Sequence, residues 1–477
     1  MNSSAKSFYR PAAWIALACL VVPMFASYFF DDMFSSISYL FDHPALTQLG
    51  WSQSDYGSYT SAYSVLCVFG GLVVCGILLD KWGVRITGSI FVGMMAAGAG
   101  AVTWALLSGS PHALKIAYAG GMFFGLGSEI AGTAVTRSIA KWFKGGPMAL
   151  AMGLQLAIAR LGTAFALVLS PRLVRELSGH VYTLSETARP ALLGMGLMAL
   201  GLILWAVFVA LDARYSAGEK ASAASGDALP STDNKVYAEK ASATSEDALP
   251  SAENKVDAPG RASSPDEEAF RFRDILKVLG NRNFWLLGLL CVLFYSSIIA
   301  FKKFAGAILI PRFDIPAGTA GWMVSMLPFS TVIFAPLFGM LVDKKGHGTG
   351  WMILGSVLAL TAHLLLAFAP QGVPFWGYLS MVFLGFGYSL VPAALWPSVP
   401  KIVPDKVLGT TFALLYWVQN LGLLSFKVLA GRILDGGSPV SVELMFTGLC
   451  VAAVVFALLF ANVSRKSPAL GLDAPNR

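Results

Sequence analysis

The sequence predicts an all-α polytopic membrane protein with twelve transmembrane helices in two six-helix bundles. Three observations predict it. Of 477 residues, 56% are hydrophobic and 13% charged, too few polar side chains to cover a soluble chain of this size. The apolar residues come in long blocks, among them 13–30, 65–79 and 451–461. About 20 apolar residues wound as a helix cross a hydrocarbon core of about 30 Å. The blocks fall six and six around a long polar segment, and one short signal recurs at matching places in both halves.

In chain order the spans centre on Val21, Val68, Met95, Gly127, Ile158, Gly201, Leu293, Phe329, Leu358, Phe386, Asn420 and Val454. The first follows Lys6 and Arg10, as the apolar part of a signal peptide would. No small-residue cleavage site follows it, and "SYFFDDMF" is a poor one, so it reads as a retained helix. The second and eighth spans run into "GILLDKWGVR" (Gly76–Arg85) and "GMLVDKKGHG" (Gly339–Gly348), both of the form G-x-L-x-D-K-x-G. Such a signal repeated in two six-helix halves points to the parallel-repeat architecture of secondary transporters. The tenth span contains "LVPAALWPSVP", whose three prolines predict a broken helix around Trp396.

The expected domains are a six-helix bundle over 1–211, a disordered cytoplasmic linker over 212–271, and a second bundle over 272–477. The linker carries a tandem repeat, "KASAASGDALPSTDNKVYAE" then "KASATSEDALPSAENKVDAP", too poor in large apolar residues to bury a core. Orientation follows from Lys and Arg in the short loops. With the N-terminus inside, the cytoplasmic segments gather Lys81, Arg85, Lys141, Lys144, Lys344, Lys345, Lys401, Lys406, Arg465 and Lys466. Both termini are therefore expected in the cytoplasm.

Two opposite charges stand inside greasy segments. "FFGLGSEIAGTAVTRSIAKWF" holds Glu129, and "GLQLAIARLG" holds Arg160. Counted from Lys141 and Pro147, both lie roughly 18–20 Å from the cytoplasmic edge, on adjacent antiparallel helices. A charge at that depth costs at least about 2.5–3.5 kcal/mol, and persists when paired or when it faces a wet cavity. Two readings stand: a buried ion pair fixing two helices, or a midplane substrate site. An Arg fork suits a carboxylate and a Glu suits an ammonium, together a small zwitterion. Tyr63, Tyr388, Trp396 and Gln419 are further cavity candidates. Lys302, Lys303 and Lys427 add cations that would favour acidic groups. Lys302 and Lys303 are neighbours, about 100° apart around a helix, so one groove cannot receive both equally. His363, alone on an apolar helix, reads as packing. Asp31 and Asp32 read either as a cation lure or as a solvated helix end.

The five cysteines lie in apolar segments without metal or disulfide spacing. No nucleotide loop, metal cluster or nucleophile–base motif is present, which argues against an enzyme.

The stretches "AKWFKGGPMALAMGLQLAIARLG", "YSLVPAALWPSVPKIVP" and "LGTTFALLYWVQNLGL", with "SYFFD" and "FGGLVVCGILLD", resemble one branch of the major facilitator superfamily. That branch contains lysosomal dipeptide transporters of animals and their bacterial relatives. The resemblance covers nearly all twelve spans and implies the major facilitator fold. It implies that Asp80 with Lys81 and Arg85, and Asp343 with Lys344, form gating latches that do not touch substrate. It implies that Glu129 and Arg160 hold the two ends of a dipeptide. The implied activity is facilitated transport of dipeptides, preferring a basic residue, without obligatory proton coupling. The lysines at 302, 303 and 427 depart from the branch and set that preference against an organic-anion or carboxylate transporter. A drug or metabolite exporter and a non-transporting sensor are further alternatives. No cofactor, nucleic acid or obligate protein partner is expected; the partners are a small solute and the bilayer. The expected location is a bacterial inner membrane.

Overall fold

Apolar residues that must satisfy every backbone polar group without water have one local solution, the helix. The computed structural model describes residues 3–143, 147–175, 180–224, 272–404 and 407–475. The helices are α1 (Ser3–Asp32), α2 (Gln53–Leu66), α3 (Leu72–Ser108), α4 (Ala113–Trp142), α5 (Met148–Val174) and α6 (Leu184–Ala224). After the polar segment come α7 (Phe272–Leu279), α8 (Arg282–Lys303), α9 (Ala305–Phe313), α10 (Ala317–Lys345), α11 (Gly348–Phe368), α12 (Pro374–Ile402), α13 (Leu408–Gly436) and α14 (Pro439–Lys466).

Ten stretches among the described residues are long and apolar enough to cross a membrane. Two further crossings complete the twelve. One is α4, which carries Lys115, Glu129, Arg137 and Lys141. The other is split: α2 ends in a wide turn at Cys67–Gly71 and resumes as the start of α3.

The repeated signal has a structural counterpart. Its final glycine is Gly83 in the first copy and Gly346 in the second, and both take a positive φ, +75° and +66°. Gly83 turns α3 back across the membrane, and Gly346 ends α10. A Cβ is poorly tolerated at such angles, so the glycine is what lets each turn be tight. Lys81, Arg85, Asp343 and Lys344 are exposed at these turns. The side chain of Asp80 lies outside the described residues.

The bundles mirror each other in their packing. Within them α3 lies on α4 as α11 on α12, and α1 on α5 as α8 on α13; between them α2 lies on α13 and α5 on α10. Both bundles belong to one compact unit, Met1–Val209 with Arg273–Arg477. The helix α6 continues past residue 211 to Ala224; the tandem repeat from residue 225 onward lies outside the described residues. The three prolines Pro392, Pro397 and Pro400 do not break α12, which is one helix from Pro374 to Ile402. In a packed span, neighbouring helices and side-chain hydroxyls re-satisfy the carbonyls that prolines leave open.

The five cysteines are buried free thiols. His363 is not alone: its Nδ1 lies 2.8 Å from Glu443 Oε2, joining α11 to α14 in the second bundle.

Candidate functional site

The face at which α1 begins and α14 ends is called the near face, and its opposite the far face. α4 runs from far to near and α5 returns, so Glu129 and Arg160 meet the same level of the bilayer on neighbouring helices. Both side chains are half-buried. Among the described residues they form no ion pair with each other. Each is held by a tyrosine instead. The Tyr63 hydroxyl donates to Glu129 Oε1 at 3.1 Å. The Arg160 Nη1 donates to the Tyr388 hydroxyl at 3.1 Å, across the bundle interface.

Around Arg160 the surroundings are aromatic. Its guanidinium lies 5.6 Å from the centre of the Tyr28 ring and 5.4 Å from that of Tyr388. A guanidinium over a ring face is attracted by the ring quadrupole, worth about 0.5–2 kcal/mol. The aromatic wall continues through Tyr295, whose ring meets Tyr388 edge-on at 6.2 Å. The Trp396 indole donates to the Tyr295 hydroxyl at 3.0 Å and stacks on Tyr416 at 5.0 Å. Gln419 sits beside Cys291, which donates its thiol to Oε1 at 3.8 Å. Around Glu129 the surroundings are hydroxylic: Ser128 bonds Ser27 at 2.6 Å and receives the Tyr63 hydroxyl at 3.3 Å.

The structure thus brings Glu129 to Tyr63, and Arg160 to Tyr388 and, through Tyr295, to Trp396. One bundle supplies both charges, and the other supplies most of the aromatic wall. Tyr28, Tyr295, Tyr416, Ser27 and Ser128 belong to the same neighbourhood. Nothing in the sequence marks these tyrosines and serines off from packing residues.

Lys302 and Lys303 lie elsewhere. Lys302 Nζ is 2.6 Å from Asp32 Oδ2, and Lys303 Nζ is 2.9 Å from Asp32 Oδ1 and 2.7 Å from Asp31. Asp32 is 1% exposed and Lys303 0%. Both lysines reach one aspartate, against the helical-wheel expectation, because α8 ends at Lys303 and two four-carbon stems converge beyond the helix end. Thr163 donates to Asp32 at 2.8 Å, and Tyr56 donates to the Lys303 carbonyl at 3.0 Å. Two carboxylates face two ammoniums, so the cluster is neutral. Unpaired, each of these ions would cost several kcal/mol to bury. Asp31 and Asp32 are accordingly no solvated helix end; they tie α1 of one bundle to α8 of the other.

This cluster belongs to a closure at the far face. Asp435, at the end of α13, accepts the backbone N–H groups of Gln53 and Ser54 at 2.8 and 2.9 Å, capping α2 from the opposite bundle. A carboxylate at a helix N-terminus satisfies two orphan donors and complements the helix dipole. The helices also approach closely: a Cβ on Gly431 would lie 2.3 Å from the Gln53 carbonyl, and one on Gly321 2.3 Å from the Leu167 carbonyl. At mid-depth Trp417 donates to the Val68 carbonyl at 2.8 Å.

The sequence profile of the Major Facilitator Superfamily matches residues 24–311 and 302–475. The chain is 28% identical over 437 residues to the lysosomal dipeptide transporter MFSD1 of Danio rerio, covering 88% of this chain and 81% of that protein. It is 29% identical over 407 residues to the protein of the same name in Mus musculus, covering 85% and 76%. Among solved structures, the nucleoside transporter NupG superposes with a TM-score of 0.64 at 13% identity, over 94% of this chain and 98% of that one. The xylose transporter XylE from E. coli, in an inward open conformation, gives 0.64 at 14% identity over 95% of each chain. A peptide transporter, POT, gives 0.61 at 15% identity over 94% and 95%. At these identities the structural likeness speaks to the fold alone.

Proposed function

This chain belongs to the major facilitator superfamily, and from that premise we propose that it carries dipeptides across the membrane by alternating access. It is an integral membrane transporter, not an enzyme; the relatives named above are transporters by their descriptions. The observation that carries the dipeptide reading is the separation of Glu129 from Arg160. Opposite charges at one depth, each held by a tyrosine and not by the other, leave one carboxylate oxygen and most of a guanidinium fork for a ligand. A zwitterion with charges several bonds apart fits that demand. Glu129 takes the amino end and Arg160 the carboxyl end, and the wall of Tyr295, Tyr388, Trp396 and Tyr416 meets the side chains. The name of the curated relatives, a dipeptide transporter, supports the same solute.

The carboxylate-transporter alternative drew on Arg160 with Lys302, Lys303 and Lys427. The pairing of Lys302 and Lys303 with Asp31 and Asp32 removes those two charges from the site. In this reading the cluster is the lock of the far side, and the described state is closed to that side. Transport then requires the lock to part while the turns at Gly83 and Gly346 take up the opposite closure, the role assigned to Asp80, Lys81, Arg85, Asp343 and Lys344. The excess of Lys and Arg at the near face supports a cytoplasmic near face.

Thermal stabilisation of the purified protein tests the solute. A ligand raises the melting temperature according to its occupancy of the folded state. Dipeptides are expected to stabilise the wild type and not Arg160→Ala, while dicarboxylates and single amino acids do little. Stabilisation by dicarboxylates alone sinks the dipeptide reading.

A further inference from the structure

Among the described residues three lysines are buried in the spans: Lys302, Lys303 and Lys427. The first two are neutralised by Asp31 and Asp32. Lys427, on α13, is 2% exposed, and among the described residues no carboxylate lies within salt-bridge distance of it. Its Nζ donates to the carbonyl of Thr60, on α2 of the other bundle, at 3.1 Å. It lies 5.7 Å from the centre of the Tyr63 ring, and the hydroxyl of that tyrosine donates to Glu129. A lysine, a tyrosine ring and a glutamate therefore form one column from the far-side closure down to the site.

The charged groups that act on Lys427 are Lys303 and Lys302 at the end of α8, with Asp31 and Asp32 at the end of α1. Lys427 in turn acts on Glu129 of α4 and on Cys67 beside α2. The four groups at the helix ends cancel as two pairs. Glu129 is then the charge of opposite sign left for Lys427, with Tyr63 between them. A buried ammonium with no counter-ion is held only as long as a carboxylate nearby needs it.

We propose that Lys427 is the exchangeable counter-charge of Glu129, so that binding a substrate amine releases a proton from Lys427. With the site empty, the ammonium of Lys427 compensates the carboxylate through the Tyr63 ring. When a substrate ammonium takes Glu129, the second cation becomes surplus. One N–H bond of Lys427 breaks, the nitrogen keeps the electron pair, and the proton passes to water in the site. Protons and amine-bearing substrates then compete, and transport of such substrates runs against a counter-movement of protons. This departs from the uncoupled transport that the family resemblance implies. It rests on the reading that Glu129 takes the amino end.

The test is calorimetric titration of a dipeptide into purified wild type in two buffers of different ionisation enthalpy, which counts protons released per binding event. The expected result is release in the wild type, with affinity rising about tenfold per pH unit where release is complete. Lys427→Met binds the peptide with no release and a flat pH profile. Lys427→Arg keeps the charge and the bond to Thr60 and cannot lose its proton; it also binds without release, and more weakly. Release that persists in either variant overturns the proposal. So does binding without release in a wild type whose affinity still depends on Glu129 and Arg160, an outcome that leaves the site assignment standing. If Glu129→Gln binds the peptide as well as wild type does, the site reading itself falls, and this proposal with it.

Discussion

Replacing Asp32 by Asn unlocks the far face if the cluster there is a closure. Asp32 accepts from Lys302 at 2.6 Å, Lys303 at 2.9 Å and Thr163 at 2.8 Å. In Asp32→Asn, Lys303 keeps Asp31 at 2.7 Å, so the loss falls on Lys302, which has no other carboxylate among the described residues. Removing one partner of a buried pair costs about 3–5 kcal/mol, because a charge is left uncompensated. The far-open state hydrates Lys302 and escapes that cost. At about 1.4 kcal/mol per tenfold, the equilibrium moves toward opening by roughly 10²- to 10⁴-fold. A cysteine at Ser36, a position that is 0% exposed within the closure, reports it through a membrane-impermeant thiol reagent. The five native cysteines are buried and give a low background. Labelling is expected to accelerate at least tenfold in the Asp32→Asn background. It is expected to return toward the wild-type rate when Lys302→Met removes the orphaned charge. Labelling as slow as wild type, with an unchanged melting temperature, refutes the idea that this pairing holds the far side shut.

Tyr388→Phe removes the hydroxyl that accepts from Arg160 but keeps the ring; one hydrogen bond is worth about 0.5–1.5 kcal/mol, so peptide affinity is expected to change less than about tenfold by thermal shift, while Arg160→Ala weakens it by roughly 10- to 150-fold. Ala at Gly83 costs only the strain of a backbone conformation (φ +75°, ψ 173°) that essentially glycine alone adopts, about 1–3 kcal/mol, since a Cβ there meets open space. Ala at Gly346 adds a Cβ 2.3 Å from the Asp473 carbonyl, and is expected to lower the melting temperature more; equal effects contradict the packing described. Asp473 accepts from the Thr349 backbone N–H at 2.8 Å and from its hydroxyl at 2.9 Å, capping α11 from the C-terminal tail. Burial pushes its carboxyl up, but hydrogen bonds from Ser464 and Thr349 outweigh that and hold it below its ordinary value. The cap is therefore present above about pH 4 and lost as pH falls below it. Asp473→Ala is expected to cost about 1 kcal/mol at neutral pH and to speed hydrogen exchange at Thr349, with the difference vanishing in acid.

Much of this architecture was legible because it is local. Span positions follow from runs of apolar residues, and the equal depth of Glu129 and Arg160 follows from counting 1.5 Å per residue from the loop between them. The doubled G-x-L-x-D-K-x-G signal is local too, and both of its last glycines take positive φ. What stayed hidden depends on contacts between distant residues. Asp32 and Lys302 are 270 positions apart, and no spacing rule links them, so the lysines read as cavity cations and the aspartates as a cation lure or a solvated helix end. His363 and Glu443 are 80 apart, and the histidine read as packing. Tyr28, Tyr295 and Tyr416 carry no mark that separates an aromatic wall from a packed core. The prolines of α12 misled for the opposite reason: their local rule is real, but a packed bundle overrides it.

The central claim is that Glu129 receives the amino end of the solute and Arg160 its carboxyl end. The most direct measurement is the binding of one dipeptide in three forms, free, N-acetylated and C-amidated, to wild type, Glu129→Gln and Arg160→Ala. A hydrogen bond to a charged group is worth about 1.5–3 kcal/mol, so in wild type each modification is expected to cost roughly 10- to 150-fold. In Glu129→Gln the penalty for acetylation should vanish while that for amidation remains, and in Arg160→Ala the reverse should hold. If each modification costs the same in both variants as in wild type, neither residue reads the end assigned to it, and the account of the site is wrong.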